Sequence, residues 1–205
     1  MKAPFFAISR HRLHVDGPGV TTLVCFHGCP LRCKYCINKQ CWTNEGKCRR
    51  ADEEGLISEL MIDDLYFKAT GGGICFGGGE PLLYSAFIDT FCRHRPQEWN
   101  IFLETSLNIP LHHLEQVAPW VHRFYIDIKD MNADIYRRYT GYDNQQVIDN
   151  LRWLSHQGMQ HLVTIRLPLI KDFNNDLCRT ASQQRLEEMG FYQFDKFDYI
   201  IKDIY

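Results

Sequence analysis

Cys29, Cys33 and Cys36 fall within the eight-residue stretch CPLRCKYC, at offsets of four and three, with no fourth partner at a matching interval. Three thiolates of one short loop can bind three irons of a 4Fe–4S cluster, whose usual complement is four cysteines, and leave the fourth iron open to a ligand from outside. The same residues also suit a zinc site, or an ordinary electron-transfer cluster, completed by Cys41 or Cys48 of the downstream QCWTNEGKC. Spacing alone does not separate these readings.

Other residues bear on the choice. In GGGICFGGGEP (71–81) the second glycine run allows backbone to approach a ligand closely and to reach positive φ. No Lys-Ser/Thr follows as a P-loop requires, and the spacing does not satisfy G-x-G-x-x-G, so a nucleotide-phosphate site is not indicated. Glu104 and Thr105 offer oxygens within ETS, and Asp127 and Lys129 in DIK place a carboxylate and a cation two apart, on one face of a strand. Arg166 suits bidentate binding of a carboxylate. Each has a plainer reading: a solvated strand end for Glu104, an internal salt bridge for Asp127 with Lys129, a structural ion pair for Arg166. A structural zinc site, however, has no use for glycines, carboxylates and a lysine gathered at one rim.

The elements that must position these residues follow from hydrophobic periodicity. Short apolar runs at 21–26, 73–76, 100–104, 124–128, 162–167 and 197–201 read as strands. Amphipathic stretches at about 51–67, 81–93, 111–121, 145–157 and 176–189 read as helices between them. The fourth shows the clearest face, with Val147, Ile148, Leu151 and Leu154 apolar and Gly158 placed to end it. Alternating strands and helices predict an α/β fold around a parallel sheet. A complete eight-fold barrel takes about 250 residues; 205 residues with six strands predict an open, partial barrel in one domain spanning 1–205. Every chemical cluster named above lies at or just after the C-terminal end of a strand, the edge where parallel barrels build active sites.

Composition narrows the class. A net charge of -2 gives no ground for expecting nucleic acid or an anionic membrane as partner. Nine cysteines at irregular spacing, with no export signal in MKAPFFAISRHRLH, point to a reducing cytoplasm. No apolar run approaches the roughly 20 residues that span a bilayer. Cys25, Cys75, Cys92 and Cys178 sit among apolar residues and read as buried small hydrophobes, and SRHRLH (9–14) reads as a solvated hairpin edge.

CxxxCxxC with Tyr35 before its last cysteine, followed after the next strand by GGGEP, resembles the radical S-adenosylmethionine superfamily. The resemblance implies that the amino nitrogen and carboxylate oxygen of S-adenosylmethionine chelate the open iron. An electron from the cluster then splits the cofactor into methionine and a 5′-deoxyadenosyl radical, which abstracts a substrate hydrogen. It also implies that Tyr35 belongs to the cofactor site and that Gly78, Gly79 and Glu80 receive the methionine amino group. Glu104, Thr105, Asp127, Lys129 and Arg166 then lie where relatives contact the methionine carboxylate or a monovalent cation beside it. Within the superfamily, VDGPG (15–19), FHGCPLRCKYCIN, ETS, DIKDMN and YTG (139–141) occur in the order found in pyruvate formate-lyase activating enzymes.

That group installs a glycyl radical on a large partner enzyme and draws its electron from a flavodoxin or ferredoxin-type donor, in anaerobic cells. On this model Asp16 and Gly17, with the segment around Arg137, Arg138 and Thr140, line the entrance for the partner's peptide. The chain departs from the group's pattern at Ile37, where a His is usual, at Val20 and Thr21, where an Arg commonly follows DGPG, and at Tyr136, where a His is frequent. A late cofactor-contacting His has no counterpart. Cys41 and Cys48 are too few for a second cluster, so one cluster is expected. Two other readings stand beside this one: a radical enzyme acting on a small molecule or another peptide, and a non-enzymatic metal-cluster protein.

Overall fold

Residues buried on both sides dictate the centre of the fold. The computed structural model describes residues 1–43 and 48–199. Within them one sheet carries β1 (Lys2–Leu13), β2 (Val20–Phe26), β3 (Arg49–Asp52), β4 (Gly73–Gly78), β5 (Asn100–Thr105), β6 (Arg123–Asp127), β7 (Val163–Leu169) and β8 (Phe194–Asp198), in the order β3-β1-β2-β4-β5-β6-β7-β8. From β2 to β8 every pairing is parallel, whereas β1 pairs antiparallel with both β2 and β3. β3 and β8 do not pair with each other, so the barrel is open.

All six expected strands are present, with the last at Phe194–Asp198 rather than 197–201, of which 200 and 201 lie outside the described residues. The count of six is corrected to eight by β1 and β3. Both are antiparallel additions at one edge: β3, RRAD, has no apolar run, and β1 joins the short apolar run APFFAI (3–8) to the polar stretch SRHRL, which masked it as a strand. The expected hairpin at 9–14 is the far half of β1, where Arg12 stands opposite Thr21 and Leu13 opposite Val20.

Period-two alternation splits the parallel strands into two faces. Val24, Phe26, Ile74, Phe76, Ile101, Leu103, Phe124, Ile126, Val163 and Ile165 belong to the main core, shared with helix residues such as Leu56, Phe67, Phe91, Leu114, Leu151 and Leu186. The helices are α1 (Glu53–Leu60), α2 (Asp64–Thr70), α3 (Ser85–His94), α4 (Leu111–Val117), α5 (Ala133–Thr140), α6 (Gln145–His156) and α7 (Asp176–Glu188). The first expected helix is two, divided by a 3-10 turn at Met61–Asp63, and the second opens with a 3-10 turn at Pro81–Tyr84. α5 was not among the expected helices. No helix among the described residues is long and apolar enough to cross a membrane.

α5 matters because the cysteine loop rests on its C-terminal end. Asn132 caps its start by accepting from the backbone N–H of Asp134 (2.9 Å) and Ile135 (3.2 Å). At its other end the carbonyls of Thr140 and Tyr139, which have no partner within the helix, accept from the N–H groups of Arg32 (2.9 Å) and Lys34 (3.0 Å). Asn132→Ala removes the cap and is expected to cost about 1 kcal/mol. The loss should appear as a lower thermal midpoint, which Asn132→Asp restores because it keeps the acceptor.

Candidate active site

The loop after β2 and the loop after β4 are fastened to each other. Gly79 N–H donates to the Phe26 carbonyl (2.9 Å), Glu80 N–H to the Gly28 carbonyl (2.8 Å), and the Asn38 amide to the Gly78 carbonyl (2.9 Å). This approach is possible only without side chains: a Cβ on Gly79 would stand 2.2 Å from the Gly28 oxygen, and one on Gly78, at φ +91, would stand 2.7 Å from Cys25 Cα. The glycine run therefore fits two strand ends together and leaves bare backbone of Gly78 and Gly79 on a cavity wall.

That cavity, of about 510 Å³, opens at the C-terminal edge of the parallel strands and is lined by Cys29, Cys33 and Cys36 together. Burial pushes the Cys29 thiol up to about 12, with Glu80 adding to the shift, and pushes Cys33 up to about 11 against the opposing effect of Lys129. Cys41 is buried with its thiol toward the Phe26 carbonyl, Cys48 is exposed, and neither lines the cavity. Among the described residues no three Cys, His, Asp or Glu side chains converge closely enough for a single metal ion.

The barrel-facing side chains below the cysteines form three ion pairs. Arg166 Nη1 donates to Glu104 Oε1 at 2.6 Å, Lys129 Nζ lies 3.3 Å from Asp127 Oδ2, and Arg12 holds Asp16 through both carboxylate oxygens, at 2.9 Å for Nη2 to Oδ1. All six residues line the cavity. Burial raises the Glu104 carboxyl, offset in part by Arg166. Burial opposes the charges of Arg166 and Lys129, but the facing carboxylates outweigh it, led by Glu104 for the first and Asp127 for the second, so both stay protonated.

The remaining expected residues divide between the cavity wall and the structure around it. Glu80 is fully buried below the wall, where its carboxylate accepts from Thr105 Oγ1 (2.7 Å), Ser106 N–H (2.9 Å), Ser106 Oγ (2.6 Å) and Leu82 N–H (3.3 Å). Thr105 thus spends its hydroxyl on Glu80 while lining the cavity beside Glu104. Tyr35 packs against Tyr139 and Phe173 and donates to Asp172 (3.3 Å), outside the cavity lining. Gly17 lies against the Phe102 ring, Arg138 is on the outer surface, and Thr140 is buried with its hydroxyl on the Tyr136 carbonyl (2.8 Å). Asp16 is 0% exposed, while the side chain of Arg12, its partner, is 30% exposed and meets the cavity.

Arg12, Ser106 and Tyr199, whose ring lies 5.7 Å from Lys129 Nζ, belong to the site or its support and were not expected there. Only the ETS motif carried a local signal, for Ser106. Of the four cysteines expected as buried hydrophobes, Cys75 and Cys92 are so, Cys25 is buried but lines the cavity, and Cys178 is half-buried at the start of α7.

Comparison with known proteins matches residues 23–182 to the family model "Radical SAM superfamily". The chain belongs to that superfamily. It is similar to the pyruvate formate-lyase 2-activating enzyme of Escherichia coli strain K12, at 32% identity over 90% of this chain and 72% of the relative. It is also similar to the (2S)-3-sulfopropanediol dehydratase activating enzyme of Klebsiella oxytoca, at 26% identity over 90% of this chain and 77% of the relative. Among solved structures, SuiB of Streptococcus suis shares the fold with a TM-score of 0.68 at 15% identity. That match covers 87% of this chain but only 39% of SuiB.

The superfamily implies a 4Fe–4S cluster and S-adenosylmethionine, and the cavity fits them: three thiols of one loop face one space, with cations, carboxylates and bare glycine backbone beside them. Two outcomes are expected. Glu80→Gln turns an amide N–H₂ into a shell made of donors and should destabilise the protein by about 1–3 kcal/mol in denaturant unfolding, with Glu80→Asp less damaging. In the metal-free protein, alkylation of Cys29 and Cys33 should quicken about tenfold per pH unit with no plateau below pH 10, because only the thiolate reacts. A plateau by pH 8, read by mass spectrometry, would contradict the burial described.

Proposed function

We propose that this chain is an activating enzyme that generates a glycyl radical on a partner protein. The observation that carries the radical chemistry is the convergence of Cys29, Cys33 and Cys36, without Cys41 or Cys48, on a cavity walled by Gly78, Gly79 and three ion pairs. Those cysteines would hold the cluster. When bound, cluster and S-adenosylmethionine together supply a one-electron cleavage that yields an organic radical.

The protein's own residues bind and orient. Gly78 and Gly79 offer carbonyls where no side chain blocks an ammonium group. Lys129, kept charged by Asp127 in a buried setting, attracts a carboxylate, and Arg166, held by Glu104, offers remaining donors to the same kind of group. Each cation already has a carboxylate partner, so a zwitterionic ligand exchanges pairs rather than introducing an unpaired charge. A monovalent cation would find oxygens at Glu104 and Asp127.

The glycyl subtype is supported by the similarity to two activating enzymes. One observation favours a second reading, a radical enzyme with another peptide or a small molecule as substrate. Of the residues expected to meet the partner's peptide, only Asp16 lines the cavity, and it is saturated by Arg12.

Anaerobic reconstitution separates the cases. Reduced protein given S-adenosylmethionine is expected to form 5′-deoxyadenosine, and its absence would defeat both readings. A glycyl doublet in electron paramagnetic resonance, seen on adding candidate glycyl radical enzymes, supports the first reading; formation of 5′-deoxyadenosine with no doublet from any candidate supports the second. Cys33→Ala should lose both iron and 5′-deoxyadenosine formation, while Cys41→Ala and Cys48→Ala keep them. Loss of the cluster in either of the latter would point to a four-cysteine site.

A further inference from the structure

One acidic residue of the DIKDMN stretch takes no part in the cavity. Beyond the end of β6, alternation turns Asp127 and Lys129 into the barrel and Ile128 into the core, so Asp130, the neighbour of Lys129, is turned away from the ligand space. Asp130 is 3% exposed. Its carboxylate is met by a set of neutral donors rather than by a cation in contact. Burial raises the carboxyl, and those donors, with the more distant charge of Arg185, act against that shift.

The donors come from three parts of the fold. Oδ1 accepts from the Asn132 N–H (2.9 Å) of its own loop and from Ser182 Oγ (3.1 Å) on α7, while Oδ2 accepts from the Asn174 amide (3.3 Å) in the loop after β7. The next residue reinforces this knot: the Met131 N–H donates to Ser182 Oγ (3.0 Å), and the Met131 carbonyl accepts from Arg185 (2.6 Å) and from Asn144 (3.1 Å) at the start of α6. Asn174 is itself fastened to the end of β7, its Oδ1 accepting from the Ile170 N–H (2.6 Å) and its amide donating to the Pro168 carbonyl (3.2 Å). Its neighbour Phe173 packs edge-on against Tyr35 and Tyr139, with ring centroids 5.7 and 5.1 Å apart, behind the cysteine loop.

Two adjacent residues therefore face opposite ways from one backbone, a cavity cation on one side and an anchor on the other. Pairing with β7 holds that backbone as far as Ile128, whose N–H donates to the Arg166 carbonyl (3.0 Å). Lys129 then carries its ammonium on a flexible four-carbon stem, so the direction it takes depends on its own backbone and on Asp127, 3.3 Å away. We propose that Asp130 is a positioning residue for cofactor binding: by gathering donors from its loop, from α7 and from the loop after β7, it fixes the backbone from which Lys129 reaches a ligand carboxylate. The inference rests on the reading of this cavity as the S-adenosylmethionine site. An acid serves here because it accepts from every side, whereas an amide at the same place turns a donor toward a donor.

The test measures binding of S-adenosylmethionine to the reduced, reconstituted full chain through the change it causes in the electron paramagnetic resonance of the cluster. Four proteins form a cycle: wild type, Asp130→Asn, Lys129→Met and the double variant. Asp130→Asn is expected to weaken binding about tenfold with iron content kept, and to raise the cofactor KM for 5′-deoxyadenosine formation more than it lowers kcat. In the Lys129→Met background the same substitution should cost less than about twofold, because the group it positions is gone. Ser182→Ala removes one donor and keeps the charge; its smaller loss should likewise vanish without Lys129, so the role is tested even where Asp130→Asn folds poorly. Equal losses with and without Lys129, wild-type affinity in both Asp130→Asn and Ser182→Ala, or wild-type affinity in Lys129→Met would overturn the positioning role. Absence of binding to wild-type protein that carries its cluster would instead defeat the proposed function, and the inference with it.

Discussion

Backbone contact between the ends of β2 and β4 is the constraint on which the site depends. With Gly79 against Gly28 and Gly78 against Cys25, two strand ends approach more closely than any side chain would permit, and the two loops that follow are locked by hydrogen bonds across the gap. Glu80 extends the lock to β5 by gathering four donors from Leu82, Thr105 and Ser106. Burying a carboxylate is costly, and only a full set of donors makes it tolerable. The cysteine loop is then held from the other side by α5, so its thiols face inward over a defined space.

Inside the barrel the charges cancel pairwise. Arg12 with Asp16, Arg166 with Glu104 and Lys129 with Asp127 make a polar lining that carries no net charge yet can exchange partners. Such a lining suits a ligand bearing both an ammonium and a carboxylate. Burial holds the Cys29 and Cys33 thiols above it protonated until a metal centre replaces their protons. Outside the loop Arg32, Lys34 and Lys39 are exposed, with no salt-bridge partner among the described residues.

The parts visible in the sequence were those set by local pattern. β2, β4 and β5 are buried along nearly their whole length and β6 and β7 at alternate positions, so each appears as an apolar run, whereas β8, FDKFD, is half exposed and was expected three residues late; the motifs that follow the runs fall on one edge of the sheet as a direct consequence of the parallel order. β3 was hidden because an antiparallel edge strand shares its surface with solvent, and β1 because its apolar run APFFAI passes directly into the polar SRHRL. α5 was legible in principle, bounded by Asn132 and Gly141, but its interior ADIYRRYT has a narrow apolar face. Alternation along β5 turns the Thr105 and Glu104 side chains apart, yet both line the cavity at the strand end, where Thr105 also gives its hydroxyl to Glu80. Glu80 as a hidden brace and Arg12 as the cavity-facing partner of Asp16 depend on tertiary neighbours and hairpin register, which no local window contains.

The account stands or falls on an iron that the protein itself leaves without a thiolate. Mössbauer spectroscopy of protein reconstituted with ⁵⁷Fe, before and after S-adenosylmethionine, examines that iron directly. The account predicts that one iron of the cluster changes its spectrum when the cofactor is added while the other three keep theirs. Four irons with unaltered spectra, or a centre that proves to be zinc, would contradict it.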